Sequence, residues 1–149
     1  MKILGKNKEA LLNYEVLETF TAGIVLEGSE VKSLKAGHFN FKGSYVSVEG
    51  GEVFLKSFHI SPYRYARNEN YDPEKHRKLL LTKKEINYLL GKVREKGITL
   101  IPLEVFSERN LIKVKIGLCR GRKLYDKRRI LKEKAIQREA EQTLKKLKF

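Results

Sequence analysis

Side chains that commonly do chemistry are sparse in this sequence and widely spaced. The histidines are His38, His59 and His76. They do not stand at metal-ligand spacing with one another or with the single cysteine, Cys119, so we predict neither a metal site nor another cofactor. The sequence also lacks a glycine-rich phosphate loop followed by lysine and serine or threonine, and it lacks a nucleophile elbow. This inventory favours a binding protein over an enzyme.

Glu30 is the acidic residue whose surroundings suggest a role in binding. It lies close in sequence to Lys32 and Lys35, and a carboxylate there could accept hydrogen bonds from a nucleobase or a ribose 2′-hydroxyl. A second interpretation is equally open. An acid in the first turn of a helix interacts favourably with the helix dipole and pairs with a neighbouring lysine.

Positive charge is concentrated at the C-terminal end. Residues 120–149 contain twelve Lys or Arg and four Asp or Glu, a net of +8, which leaves +6 of the total of +14 for the first 119 residues. Lysine and arginine that neutralise phosphates release counterions, so nucleic acid is the polyanion that this charge favours. No apolar run approaches the roughly 20 residues that span a bilayer. We therefore predict a cytoplasmic protein without membrane contact.

The length of 149 residues suits one folded core with an extension. We place the domain at residues 1–119 and a basic tail at residues 120–149. Apolar residues recur in the tail at the three- and four-residue spacing of an amphipathic helix. Because this stripe is thin and its surroundings are strongly basic, we expect the tail to be disordered when free and helical in contact with a partner.

Alternating apolar residues predict strands in most of the domain. A strand begins near Tyr14, a hairpin turns at Gly50 and Gly51, and two further strands span residues 98–106 and 111–118. Pro102 lacks a backbone donor, which predicts an edge or a bulge in the first of these two strands. One face of the second strand should be core and the other basic.

Two helices interrupt the strands. The first should be capped by Ser29 and end at Gly37, and the second should begin with a capping box of Thr82 and Glu85 and end at Gly97. Between them, residues 62–73 form a basic and aromatic loop, and the Asp-Pro pair that ends it favours one helical turn in residues 74–77.

About six strands with two or three helices predict a mainly β fold, a small closed barrel of the oligonucleotide-binding kind with a basic C-terminal tail. A split sheet with helices on one face is the alternative.

Four strings in this order resemble SmpB, the SsrA-binding protein family of bacteria. They are AGIVLEGSEVKSLKAG (22–37), DPEKHRKLLLTKKEI (72–86), KGITLIPL (96–103) and KVKIGLCRGRKLYDKR (113–128). The resemblance covers nearly the whole chain. It implies a barrel related to the oligonucleotide-binding fold, binding of transfer-messenger RNA, and a role in trans-translation, which rescues ribosomes stalled on messages without a stop codon. It also implies no enzymatic activity.

The resemblance implies RNA binding at a defined set of positions. In the domain these are Asn7, Lys8, Glu30, Lys32, Lys35, Arg77, Lys78, Leu80 and Thr82, and at the start of the tail they are Arg120, Arg122 and Lys123. Many family members have His or Asn where this chain has Thr82. Cys119 stands where Ala is common, and Arg122 stands where Lys is frequent.

The tail matches a second family motif. Asp126, Lys127 and Arg128 form its Asp-Lys-Arg motif, and the preceding Tyr125 is expected to stack on a ribosomal RNA base. The implied partners are transfer-messenger RNA, the 16S rRNA decoding centre with its empty message channel and, through the RNA complex, elongation factor Tu. We expect a monomer. A ribosomal RNA-binding protein with a basic extension is the alternative function.

Overall fold

The computed structural model describes residues 1–66, 70–121 and 124–147, with side chains for all of these except 124–126 and 144–147. These residues form strands and helices in the following order. The strands are β1 (Lys2–Lys6), β2 (Tyr14–Ile24), β3 (Phe39–Asn40), β4 (Tyr45–Glu49), β5 (Glu52–Lys56), β6 (His59–Ile60), β7 (Arg77–Leu80), β8 (Ile98–Glu108) and β9 (Leu111–Gly121). The helices are α1 (Lys8–Asn13), α2 (Gly28–Lys35), α3 (Lys83–Lys92) and α4 (Leu124–Leu147).

Six strands close into a ring. The antiparallel order is β8-β4-β5-β7-β2-β9, and β9 pairs back with β8 to complete the circle. Strand β1 adds to β8 outside the ring, and β3 pairs with β6 as a separate ribbon. Closure removes the unpaired edges that an open sheet would expose. The prediction of a small closed, mainly β barrel is confirmed, and the split sheet is wrong.

The period of two in the last strand places its apolar side chains in the core. Ile112, Val114, Ile116 and Leu118 are all buried, while Lys113 and Lys115 are half-exposed on the other face. Alternate side chains of a strand point to opposite faces, so a single run of sequence provides both the core and a basic exterior. This prediction is confirmed.

The two backbone irregularities predicted for the barrel are also present. Gly50 and Gly51 have φ of 57° and 77°, as a two-residue hairpin turn between β4 and β5 requires. The pairing of β8 with β9 shifts register between Pro102 and Glu104, which is the bulge predicted at the proline.

Several local boundaries differ from the prediction. Glu27, and not Ser29, caps α2, because the Glu27 side chain accepts from the Glu30 amide and the Glu30 side chain accepts from the Glu27 amide. Helix α3 ends at Lys92, five residues before Gly97. Residues 74–77 do not form a helical turn: the Asp72 carboxylate accepts a hydrogen bond from the Glu74 amide in a side-chain turn, and β7 already begins at Arg77.

Two elements near the N-terminus were not predicted, strand β1 and helix α1. Helix α1 begins at a side-chain cap, in which Asn7 accepts a hydrogen bond from the Ala10 amide at 3.1 Å. At the other end of the domain, β9 continues to Gly121, two residues beyond the predicted limit of the domain. The tail beyond it contains the helix α4.

Candidate nucleic-acid interface

Strand β7 lies between β5 and β2 and has two chemically different faces. Arg77 and Leu79 are buried, whereas Lys78 and Leu80 are exposed. The alternation follows from the pleat of the strand. Four consecutive residues of the implied RNA-binding segment therefore divide into two that belong to the interior and two that are available to a partner.

The buried Arg77 forms an ion pair with Glu30 of α2. The Arg77 Nε lies 2.6 Å from the Glu30 Oε2, and each residue is only 2% exposed. Lys75 contributes a second cation, with its Nζ 3.2 Å from the Glu30 Oε1. Of the two interpretations of Glu30, the structure agrees with the one that pairs a helix-start acid with nearby cations.

The remaining donors of Arg77 fasten the segment that leads into β7. One terminal nitrogen donates to the Phe58 carbonyl at 2.7 Å and to the Lys75 carbonyl at 3.3 Å. The other donates to the Pro73 carbonyl at 2.9 Å and to the Tyr71 hydroxyl at 3.2 Å. With the bond to Glu30, all five guanidinium N–H groups have partners. Neither Arg77 nor Glu30 has a polar group left for RNA in this conformation.

The charge of Glu30 is stabilised despite its burial. Burial raises the pKa of this carboxyl, but the hydrogen bond from the Glu27 amide and the pairing with Arg77 and Lys75 outweigh it, so the pKa lies below its ordinary value. For Lys75, burial lowers the pKa, and the contact with Glu30 more than compensates. Both groups are therefore charged at neutral pH.

Further lysines lie on or beside the elements that this pair joins: Lys32, Lys35 and Lys78 are exposed, and Lys75 is half-exposed. We call the surface formed by Lys32, Lys35, Lys75, Lys78 and Leu80 the α2–β7 face. A groove of about 350 Å³ beside it is lined by residues that include Glu27, Phe54 and Lys78. Beneath this face, the hydrogen bond between Glu30 and Arg77 joins α2 to β7 and fixes the helix relative to the strand.

Apolar side chains are exposed next to these lysines. Leu80 is 53% exposed and lines a groove of about 280 Å³ together with Val31, Leu111 and Lys113. The surface therefore combines cations, which suit phosphates, with apolar atoms, which suit the faces of unstacked bases.

Asn7 and Lys8 lie elsewhere on the barrel. The Asn7 side chain caps α1 and donates to the Pro102 carbonyl at 2.9 Å, and the residue is buried. The exposed Lys8 lines a groove of about 440 Å³ with Phe39, Phe41 and other residues. The residues that line this groove differ from those that line the two grooves at the α2–β7 face.

The other predicted positions lie at the ends of elements or beyond the described side chains. Thr82 is exposed and caps α3, with its hydroxyl 3.2 Å from the Glu85 amide. Arg120 is exposed opposite Glu15 in the pairing of β2 with β9. Arg122 and Lys123 lie outside the described residues, as do the side chains of Tyr125 and Asp126. In α4, Lys127 is half-exposed and Arg128 is exposed.

Two cations at or beside the α2–β7 face were not among the predicted RNA-binding positions. Lys75 contacts the buried acid, and Lys113 lines the groove beside Leu80. The outward alternation of β9 identified Lys113 as part of a basic face, but its proximity to β7 depends on the pairing of β2 with both β9 and β7. Lys75 had no local signal, because its partner Glu30 lies 45 positions earlier in the chain.

Cys119 belongs to a second, smaller cluster of buried residues with Ala10, Ile101 and Leu103. Burial raises the pKa of its thiol to about 11. Within the part of the chain that the structure describes, no group of three or more His, Cys, Asp or Glu side chains is placed to hold a metal ion. No described helix is long and apolar enough to cross a membrane.

The fold and this surface define a class: a small closed β-barrel protein with a cationic exterior and a long basic C-terminal helix. The family model described as SmpB protein matches residues 4–146, and the chain belongs to that family. The SsrA-binding protein of Aquifex aeolicus is 54% identical over 143 residues, which cover 95% of this chain and 91% of that protein. The SsrA-binding protein of Thermosipho melanesiensis is 49% identical, with 97% and 99% of the two chains covered.

A solved structure is also similar. It is described as "tmRNA-SmpB: a journey to the center of the bacterial ribosome", and a chain in it is 49% identical to this one. The match has a TM-score of 0.68 and covers 90% of this chain and 94% of that chain. The similarity therefore extends over the barrel and into the tail.

Proposed function

We propose that this protein binds transfer-messenger RNA through its barrel and delivers it to stalled ribosomes as an adaptor in trans-translation. The observation that carries the proposal is the match to the SmpB family over residues 4–146 of a 149-residue chain. The protein acts in the cytoplasm as a monomer and as a binding protein rather than a catalyst. Elongation factor Tu joins through the RNA.

The α2–β7 face supplies the contacts of the barrel with RNA. An RNA helix of the A form hides its major-groove edges, so a small barrel recognises a folded RNA by its phosphates, its shape and its unstacked bases. Lys32, Lys35 and Lys78 bind phosphates, and Leu80 packs against an unstacked base. Glu30 and Arg77 act indirectly, because their ion pair holds α2 and β7 at a fixed separation.

Lys78 is the phosphate ligand that can be tested most cleanly. It pairs with Glu52 at 3.2 Å, and since both side chains are about half exposed this ion pair is weak and can exchange for a phosphate. Lys78→Ala should weaken the binding of transfer-messenger RNA and lower the slope of log affinity against log salt by about 1. The measurement is a titration at several salt concentrations.

Lys96→Ala is the matched control, since Lys96 is an exposed lysine in the turn after α3. We expect it to leave both the affinity and the slope within error of the unaltered protein. An unchanged salt slope in Lys78→Ala would contradict a phosphate contact at this position.

The basic tail acts on the ribosome. Leu131 and Ile136 of α4 are more than half exposed, so the barrel core does not cover the apolar side of this helix. We assign Tyr125 to stacking on a ribosomal RNA base, and Lys127 and Arg128 to the binding of ribosomal phosphates. Asp126 belongs to the same motif, and we assign it to the decoding centre as well. Because a message in the channel would occupy the same volume and the same phosphate surface, the tail enters only when the channel is empty.

Deletion of the chain after Gly121 tests this role of the tail. We expect the truncated protein to bind transfer-messenger RNA but to give no tagging of the nascent peptide in a reconstituted translation system with a message that lacks a stop codon. Tagging at the level of the full chain would show that the tail is not the sensor.

A further inference from the structure

A pair of tyrosines with two cations lies next to the α2–β7 face. Tyr63 and Tyr65 follow β6, with ring centroids 5.6 Å apart in an edge-to-face arrangement. The Nζ of Lys32 lies 5.3 Å from the centre of the Tyr63 ring, and the Cζ of Arg64 lies 5.6 Å from the centre of the Tyr65 ring. We call these four residues the tyrosine ledge.

The ledge presents one ring to solvent and holds the other against the protein. Tyr65 is 77% exposed, whereas Tyr63 is half-buried. Tyr63 contacts one side of the Tyr65 ring in an edge-to-face arrangement and leaves most of that ring open to a ligand. An exposed aromatic ring held in this way beside cations is a stacking platform.

The base of the ledge is anchored by the buried ion-pair network. The Ser61 amide donates to the His38 carbonyl at 3.0 Å, and the Ile60 amide donates to the Pro73 carbonyl at 3.0 Å. The Tyr71 hydroxyl donates to the Ile60 carbonyl at 3.0 Å and accepts from Arg77. The strand end from which the ledge projects is therefore fixed to β7.

We propose that the tyrosine ledge binds one unpaired RNA nucleobase, stacked on the Tyr65 ring, with Arg64 and Lys32 contacting the phosphates on either side. A ring face accepts any base, and the two cations match the charge of the flanking phosphates. Lys32 joins the ledge to the α2–β7 face, so the two surfaces bind one continuous stretch of RNA. The inference rests on the proposed function and adds a contact to it.

Three variants separate stacking from charge and from general surface effects. Tyr65→Leu removes the ring, Tyr65→Phe keeps it, and Tyr88→Leu is the control. Tyr88 is also an exposed tyrosine beside a lysine, with the Lys92 Nζ 5.6 Å from its ring centre, but its hydroxyl is bound to Glu18 and its ring contacts Phe20.

The affinity is measured with transfer-messenger RNA alone and, for comparison, with vacant ribosomes. Tyr65→Leu should bind transfer-messenger RNA about tenfold more weakly, with an unchanged salt slope since no charge is removed. Tyr65→Phe and Tyr88→Leu should stay within about twofold of the unaltered protein. A loss of affinity confined to ribosomes would contradict one continuous stretch of RNA across the ledge and the α2–β7 face.

Ultraviolet crosslinking of the complexes identifies the contact directly. A peptide containing Tyr65 should be recovered attached to a nucleotide. Equal binding of Tyr65→Leu and Tyr65→Phe to transfer-messenger RNA, or a crosslink only to a ribosomal protein, would overturn the inference. Failure of the unaltered protein to bind transfer-messenger RNA would instead reject the proposed function, so the two outcomes are distinct.

Discussion

Arg77 illustrates how a basic residue within an RNA-binding segment can serve the fold. Its guanidinium is buried against Glu30 and three backbone carbonyls. Loss of Glu30 would leave Arg77 buried without a counter-charge, and loss of Arg77 would leave Glu30 with Lys75 alone, and either change costs far more than loss of a surface ion pair. The neighbouring Lys78, one residue away on the same strand, points to solvent. The two positions therefore separate stability from binding.

Arg77→Met should lower the free energy of unfolding by about 3–5 kcal/mol, because it breaks the buried ion pair and leaves the half-exposed Lys75 as the remaining cation beside Glu30. Lys78→Met is the matched substitution on the exposed face and should change stability by no more than about 0.5 kcal/mol. Urea unfolding followed by circular dichroism measures both. A loss below about 1 kcal/mol in Arg77→Met would contradict the structural role.

The same pair predicts how stability depends on pH. The pKa of Glu30 is below the ordinary value of 4.5 in the folded protein, so its pairing contributes stability above that pH and the contribution is lost as the pH falls through the folded pKa. Glu30→Gln should be less stable than the unaltered protein at pH 7. The difference should shrink as the pH is lowered below about 4.5.

Urea unfolding of the two proteins from pH 7 to pH 3 measures this change. The side chain at position 30 is surrounded by Glu27, Tyr71, Lys75 and Arg77 in both proteins. Glu30 is therefore the ionisable group that differs between them. A difference in stability that stays constant over this range would show that the Glu30 charge does not contribute.

Element by element, local patterns predicted the structure where the element is long or has a strong start signal. The alternation in β9 and the capping box of α3 are both present as expected. The bulge at Pro102 also followed from the chemistry of one residue. These features depend on neighbours within a few positions, which is the range over which a sequence pattern carries information.

Elements that depend on distant partners were not predictable. Strand β1 forms because the second half of β8, beyond its pairing with β4, offers it an edge about 100 residues later in the chain, and α1 is only six residues long. The bond between Glu30 and Arg77 joins positions 47 residues apart. The sequence alone does not show that the barrel brings α2 onto β7. Without that information, Arg77 in the segment RKLLL is as compatible with an exposed position as with a buried one.

Thr82 is the N-cap of α3 and also one of the predicted RNA-binding positions. Its hydroxyl accepts from the Glu85 amide, and the Glu85 side chain accepts from the Thr82 amide at 3.1 Å. Thr82→Ala should therefore lower the free energy of unfolding by about 0.5–2 kcal/mol, and Thr82→Ser should preserve it because serine retains the capping oxygen. Thermal unfolding provides the measurement. Equal stability of the alanine and serine variants would show that the cap is not stabilising.

For the molecule as a whole, charge and fold are distributed unequally. Residues 1–119 hold the core and a net charge of +6, while residues 120–149 have +8 and the described apolar side chains of α4 lie largely exposed. Contact between α1 and α4 joins the two parts. The predicted disorder of the free tail stays a prediction, as do the domain limits and the residue roles assigned above.

We propose that the barrel selects transfer-messenger RNA. The most direct test is a competition titration of the full chain with transfer-messenger RNA and a canonical tRNA at the same salt concentration, repeated with the chain ending at Gly121. We expect both proteins to bind transfer-messenger RNA more tightly than tRNA, with affinities that fall steeply as salt is raised. Equal affinity for the two RNAs, or binding that is lost with the tail, would contradict it.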